Sequence, residues 1–271
     1  MRTTATVFPF DLFGNSGTGA GAELLGDVLR EIVADTEKET RQIRPKAYAD
    51  KLKIRDFHFE TMDEVAAWRS AGRQAAKKAL AAGDFLLWLG GNHLSVLPVL
   101  EELGPDTLVI QFDAHLDIYN LHDCTPELSH GNFLLHADRP LPRIVNVASR
   151  DLFLTPKHVG RTFADVFGVD RIAADFAGVL KSLKELIAVA PRVWIDLDVD
   201  ALDPQFVPAV CQPMPLGLTP PQFLALLQAV WSEKVIGVSV SEYAPGHDVR
   251  DASLNLLGWL LEWLLLKRYE G

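Results

Sequence analysis

The chain has 271 residues and carries 26 basic against 36 acidic side chains, a formal net charge of −10. That balance argues against a nucleic-acid or anionic-membrane surface as the main partner. Its two cysteines, Cys124 and Cys211, stand outside any paired-spacing motif, so neither a disulfide framework nor a thiolate zinc site is expected.

In chain order, Thr6–Phe10 reads as a first strand, and Met1 is not followed by a signal-peptide apolar segment, so a cytoplasmic location is expected. The glycine-rich stretch Gly14–Gly21 leads into a helix striped by Leu25, Val28, Leu29, Ile32 and Val33. Its glycine spacing matches neither the dinucleotide fingerprint nor the P-loop, so a flexible loop at the sheet's rim is expected rather than a phosphate site. The charged segment Glu37–Lys53 reads as a solvated excursion before a strand at Lys53–Phe59. Thr61-Met62-Asp63-Glu64 has the capping-box pattern and opens a helix that Gly83 closes. Phe85–Leu89 is a buried strand that ends at Gly90-Gly91-Asn92-His93.

The apolar run Thr107–Phe112 leads directly into Asp113-Ala114-His115-Leu116-Asp117. Successive side chains of extended backbone alternate between faces, so Asp113, His115 and Asp117 leave the strand on one side. The connection Ile118–Gly131 contains His122, Asp123, Cys124 and His130 and is long enough to suggest a functional loop. Then follow a strand at Arg143–Ala148, a helix from Pro156, a short strand at Val169–Ala173 and a helix at Phe176–Ala188. The strand Arg192–Leu197 repeats the earlier construction and delivers Asp196, Asp198 and Asp200 at every second position.

Thr219-Pro220-Pro221-Gln222 starts a helix, and the last strand, Lys234–Val240, ends in Ser241-Glu242. The closing apolar segment, Leu254–Leu266, is interrupted by Asn255, Gly258 and Glu262; it is too short to span a bilayer and reads as a core or subunit-interface helix. With no linker in sight, the alternation predicts one α/β domain over 1–271, a central mostly parallel sheet with helices on both faces.

Parallel strands share one carboxyl edge, so His93, Asp113, His115, Asp117, Asp198, Asp200 and Glu242 can meet although they are scattered along the chain. Two imidazoles and four aspartates suit a pair of divalent first-row ions, and hard oxygen plus imidazole without thiolate points to manganese before zinc. Four ionised aspartates cancel two such ions, while a bridging hydroxide and Glu242 add negative charge, so a cationic substrate suits the site.

Gly90-Gly91-Asn92-His93, Asp113-Ala114-His115-Leu116-Asp117, Asp198-Val199-Asp200-Ala201-Leu202-Asp203-Pro204 and Ser241-Glu242 together resemble the ureohydrolase family of arginases, agmatinases and formimidoylglutamases. The resemblance implies an arginase-like three-layer fold and two Mn(2+) ions per chain. His93, Asp113, Asp117 and Asp198 would hold the first ion, and Asp113, His115, Asp198 and Asp200 the second. It further implies that a metal-bridging hydroxide attacks the carbon of a guanidino group and releases urea and an amine. Asp117 would move the proton to the leaving amine, and Glu242 would pair with the guanidinium.

Ser129-His130-Gly131-Asn132-Phe133 resembles the His-Gly segment of agmatinases, which makes His130 a candidate proton shuttle and leans the substrate towards agmatine or another guanidino compound without an α-carboxylate. A formimidoylglutamase-like enzyme acting on another non-peptide C–N bond, and a non-catalytic metal-binding homologue, are the alternatives. The same resemblance implies a trimer or hexamer. The chain departs from the family at Asn92, where Asp is usual, at Leu94, where Ser is usual, and at Asp196, where a small hydroxyl residue is usual. The changes at 92 and 196 are read as compensating, an acid lost at one position reappearing at the other.

Overall fold

A computed structural model describes residues 2–270. Its frame is an eight-stranded sheet in the order β2-β1-β3-β8-β7-β4-β5-β6, with every neighbouring pair parallel. The strands are β1 (Thr3–Phe8), β2 (Leu52–Asp56), β3 (Phe85–Gly90), β4 (Thr107–Phe112), β5 (Arg143–Val147), β6 (Phe163–Phe167), β7 (Arg192–Asp198) and β8 (Val235–Ser241). The inner strands β3 and β4 are buried along their whole length, as continuous apolar runs require when helices cover both faces.

The eight α-helices are α1 (Thr18–Lys38), α2 (Met62–Ala81), α3 (Leu97–Leu100), α4 (Pro156–Val159), α5 (Val169–Ala174), α6 (Phe176–Val189), α7 (Pro220–Val230) and α8 (Ala252–Glu270), counted among the described residues. One face of the sheet packs against α1, α5, α6, α7 and α8 through Leu25, Ile172, Leu183, Phe223 and Leu261. The other packs against α2 and α3 through Trp68, Ala76, Leu97 and the sheet tryptophans Trp88 and Trp194. The capping boxes at Thr61/Glu64 and Thr219/Gln222 both form, and Gly83 takes a left-handed φ of 70° just after α2.

Three local expectations are corrected. Val169–Ala174 is helix α5 and not a strand; the edge strand is Phe163–Phe167, one segment earlier. Val169 and Ile172 are three residues apart, the helical spacing, and Gly168 separates them from an edge strand that buries only its two phenylalanines. The first strand starts at Thr3 and stops before Pro9, which has no N–H for a ladder. Part of the Glu37–Lys53 excursion is packed: α1 runs to Lys38, short 3-10 turns occupy Arg44–Ala47 and Ala49–Lys51, and Tyr48 between them is fully buried.

Candidate metal centre

Four strands of the sheet release their chains at one edge, and each places a polar side chain over the same spot. β3 turns through Gly90-Gly91, where a Cβ at Gly91 would sit 2.3 Å from the Phe10 carbonyl oxygen, so this close approach admits glycine alone. His93 follows at the start of a short turn, buried to 1% exposure. β4 leads into Asp113, with its N–H held by the Val147 carbonyl, and the chain bends at Asp117 with a φ of 49°. β7 ends at Asp198, whose carboxylate accepts the Asp200 N–H at 2.9 Å and so folds the 3-10 turn Val199–Ala201. β8 is followed by Glu242 at φ 67°. Non-glycine residues in the left-handed region are uncommon, and two of them here aim functional-type carboxylates.

The imidazole of His93 turns Nδ1 towards Asp117 Oδ2 at 2.8 Å, Asp113 Oδ2 at 3.2 Å and Asp198 Oδ2 at 3.3 Å. His115 Nδ1 lies 2.8 Å from Asp200 Oδ2 and 3.8 Å from Asp113 Oδ1. The donor atoms therefore form two adjoining groups, His93/Asp113/Asp198 and Asp113/His115/Asp200, each within 4.8 Å and sharing Asp113.

Burial pushes the Asp113 carboxyl up to about 7, reinforced by the charges of Asp117 and Asp200. Burial likewise raises Asp198 well above the usual carboxylate range, with Asp200 and Asp113 adding to it. Burial opposes a charged ring at His115, yet its hydrogen bond and ion pair with Asp200 prevail and push it up to about 10. In return Asp200 is lowered although burial acts the other way. The shared causes at Asp113 and Asp198 are burial and closely packed negative charge. His93 Nδ1 and Asp113 Oδ2 are buried without an aligned hydrogen-bond partner, as expected of atoms shaped to face cations. The donor set fits two divalent ions of the hard-oxygen and imidazole class.

Above the carboxylates is a cavity of about 420 Å³ whose walls include Tyr119, Asp123, Cys124, His130, Gln212 and Glu242. Glu242 is fixed from two sides: Oε1 accepts the His93 backbone N–H at 2.8 Å, and Oε2 accepts Asn15 Nδ2 at 2.9 Å. Burial pushes its carboxyl up to about 7 against these hydrogen bonds. Gln212 Nε2 lies 3.1 Å from His130 Nε2 and donates to Asn15 Oδ1 at 3.3 Å, which ties three separate loops together. Burial lowers the His130 imidazole below its ordinary value.

The glycine-rich loop read as a flexible rim is thus a wall of the cavity. The Phe13 carbonyl accepts the His130 N–H, and the Cβ that Gly14 lacks would sit 2.3 Å from His130 Nδ1. The start of α1 needs no phosphate, because Asp11 Oδ2 already accepts the N–H groups of Gly17 and Gly19 at 2.7 and 3.1 Å.

Asp123, from the long Ile118–Gly131 connection, lines the cavity, and His158 contacts the Ile118 carbonyl at 2.8 Å. Asn15, Tyr119 and Gln212 were not anticipated; lone polar residues in loops give no periodic signal, and Asn15 meets Glu242 across 227 positions. At the three departures from the family pattern, Leu94 is buried core, Asn92 donates to the Leu12 carbonyl at 3.1 Å, and Asp196 lies 3.0 Å from His93 Nε2. The Asn92 and Asp196 side chains share no hydrogen-bond partner.

An agmatinase of Cronobacter sakazakii is 34% identical over 185 residues, 65% of this chain and 57% of that protein. One of Serratia proteamaculans is 32% identical over 181 residues, 64% of this chain and 56% of that protein. The matched stretch thus spans little more than half the length of these curated relatives. Among solved structures, the agmatine ureohydrolase of Thermoplasma volcanium superposes with a TM-score of 0.80 at 20% identity, covering 98% of this chain and 89% of that one. The arginase from Bacillus subtilis gives 0.78 at 22% identity, with 98% of both chains covered. The profile of the Arginase family matches residues 4–265, a span that includes every strand but the first residue of β1 and all the clustered His and Asp side chains described above, and the chain belongs to that family.

Proposed function

We propose that the protein is a binuclear manganese ureohydrolase that cleaves a guanidino C–N bond of a small cationic, agmatine-like substrate to urea and an amine. The observation that carries this reading is the cavity wall: Asp117, Asp123, Asp198, Asp200 and Glu242 line it, with no lysine or arginine among the lining residues. Such a wall attracts a cation and offers no cationic side chain to an α-carboxylate. The relatives called agmatinases support the same substrate class.

His93, Asp113, Asp117, Asp198, Asp200 and His115 would hold the two ions. Bound divalent ions supply compensating charge and lower the pKa of water towards neutrality. Glu242, braced by Asn15, pairs with the guanidinium and orients its carbon towards the carboxylate cluster. Asp117, whose Oδ2 is 2.8 Å from His93 Nδ1, would move a proton to the leaving amine. His130, kept neutral by burial, exchanges protons between Asp117 and solvent. The subunit is proposed to assemble as a homotrimer or hexamer, a reading supported by the exposed apolar side chains Leu152, Phe153 and Leu216.

The test is metal content with urea release, on manganese-loaded protein offered agmatine, arginine and guanidino acids in parallel. Two ions per chain and urea from agmatine are expected. Two ions and no urea from any of these compounds would reject the ureohydrolase reading.

A further inference from the structure

Beneath the metal-facing residues a row of polar side chains crosses four adjacent strands in register: Asn146 of β5, Gln111 of β4, Asp196 of β7 and Ser239 of β8. All four are fully buried, where a polar group is costly unless every donor and acceptor is matched.

The matching can be read from both ends. At one end the Trp194 indole N–H, which can only donate, points at Ser239 Oγ at 3.0 Å, so the Ser239 proton goes to Asp196 Oδ1 at 2.6 Å. At the other end the Ser149 backbone N–H donates to Asn146 Oδ1 at 3.1 Å, which fixes that amide. The Asn146 NH2 then faces Gln111 Oε1 at 3.4 Å, and the Gln111 NH2 faces Asp196 Oδ2 at 3.3 Å. Donors therefore converge on Asp196 from both directions. Its remaining neighbour is His93 Nε2 at 3.0 Å. A carboxylate that accepts from every side makes that nitrogen a donor too, which leaves the lone pair on Nδ1, the atom facing Asp113, Asp117 and Asp198.

We infer that Asp196, aligned by this row, is a positioning residue of the metal centre. It selects the imidazole nitrogen of His93 that faces the ions and holds the ring in that orientation. The row also reaches the backbone of the second histidine, because Asn146 Nδ2 donates to the His115 carbonyl at 3.2 Å. Gln111 and Ser239 touch Asp196 and none of the residues proposed to hold the ions, and Trp194 reaches Asp196 through Ser239. The inference rests on the binuclear reading proposed above and adds to it a device for building one half of the site.

The experiment is a competitive metal titration of wild type and Asp196→Asn, with manganese as the probe. Asparagine cannot accept from all three donors, so one of the two ions should bind about 10–100-fold more weakly and the other within about threefold of wild type. Should Asp196→Asn fail to fold, ¹⁵N histidine NMR of wild type loaded with diamagnetic zinc decides the matter. The ring proton of His93 is then expected on Nε2, with the metal on Nδ1. Wild type that binds no ions would sink the binuclear reading itself. Wild type that binds two, with Asp196→Asn unchanged or the His93 proton on Nδ1, would overturn this inference alone.

Discussion

Asn15 Nδ2 donates to Glu242 Oε2 at 2.9 Å, so the side chain proposed to pair with the substrate cation is held by a loop at the other end of the chain. Asn15→Ala removes this brace without touching the metal-facing residues. A hydrogen bond to a charged group in a half-buried setting leads us to expect a KM for the guanidino substrate raised about tenfold, about 1.4 kcal/mol, with kcat within about threefold of wild type. Steady-state kinetics of the manganese-loaded protein checks this; a fall in kcat at constant KM would contradict it.

Gly14→Ala places a methyl group 2.3 Å from His130 Nδ1, which forces the imidazole off its position against Gln212. Because Gly14 is exposed and in a loop, the thermal midpoint should stay within a few degrees, while kcat falls by about 10–100-fold, the range for losing a positioned acid–base group. Loss of both stability and activity would mean that the loop is structural only.

The metal-free protein should lose stability as pH rises. Burial pushes the carboxyls of Asp113 and Glu242 up to about 7, and, against burial, the pairing with Asp200 pushes His115 up to about 10, each above its ordinary value. In each case the folded state binds a proton that the unfolded state has released. The thermal midpoint should therefore decline across about pH 4 to 10. Manganese should oppose the decline increasingly at higher pH, since its binding displaces those protons. Thermal scans with and without manganese provide the comparison; a metal-free midpoint that rises with pH would contradict the assignment.

Away from the site, Glu101 is buried and accepts from Arg69 Nε at 3.0 Å and from the Asp138 N–H at 2.7 Å. Arg69→Ala leaves this carboxylate with Arg73 4.0 Å away as its nearest remaining cation. The expected cost is about 2–3 kcal/mol, lowered by the partial exposure of Arg69, with kcat unchanged. Denaturant unfolding followed by activity assay separates the two quantities.

The strands and the clustering of the His and Asp side chains were legible in sequence where a period of two met an apolar run. Asp113/His115/Asp117 and Asp196/Asp198/Asp200 both follow such runs, and a parallel sheet makes their convergence a matter of topology. The segment around Gly168 was not legible, because Val169 and Ile172 span a single helical turn and its packing against α6 does not show in so short a stretch of sequence. The rim of the cavity was least accessible. Asn15 and Gln212 owe their places to partners on other loops, and nothing in their own neighbourhood announces a role.

The left-handed backbone at Asp117 and Glu242 sets stability against the chemistry proposed for them at single positions. Glycine at either residue would relieve roughly 1 kcal/mol of conformational strain and remove the carboxylate that the bend aims. A library selected for folding alone should therefore drift to glycine at 117 and 242, while one selected for turnover should keep the acids. The divergence of the two populations at these codons would mark, without any substrate in hand, where the fold has given up stability for a task.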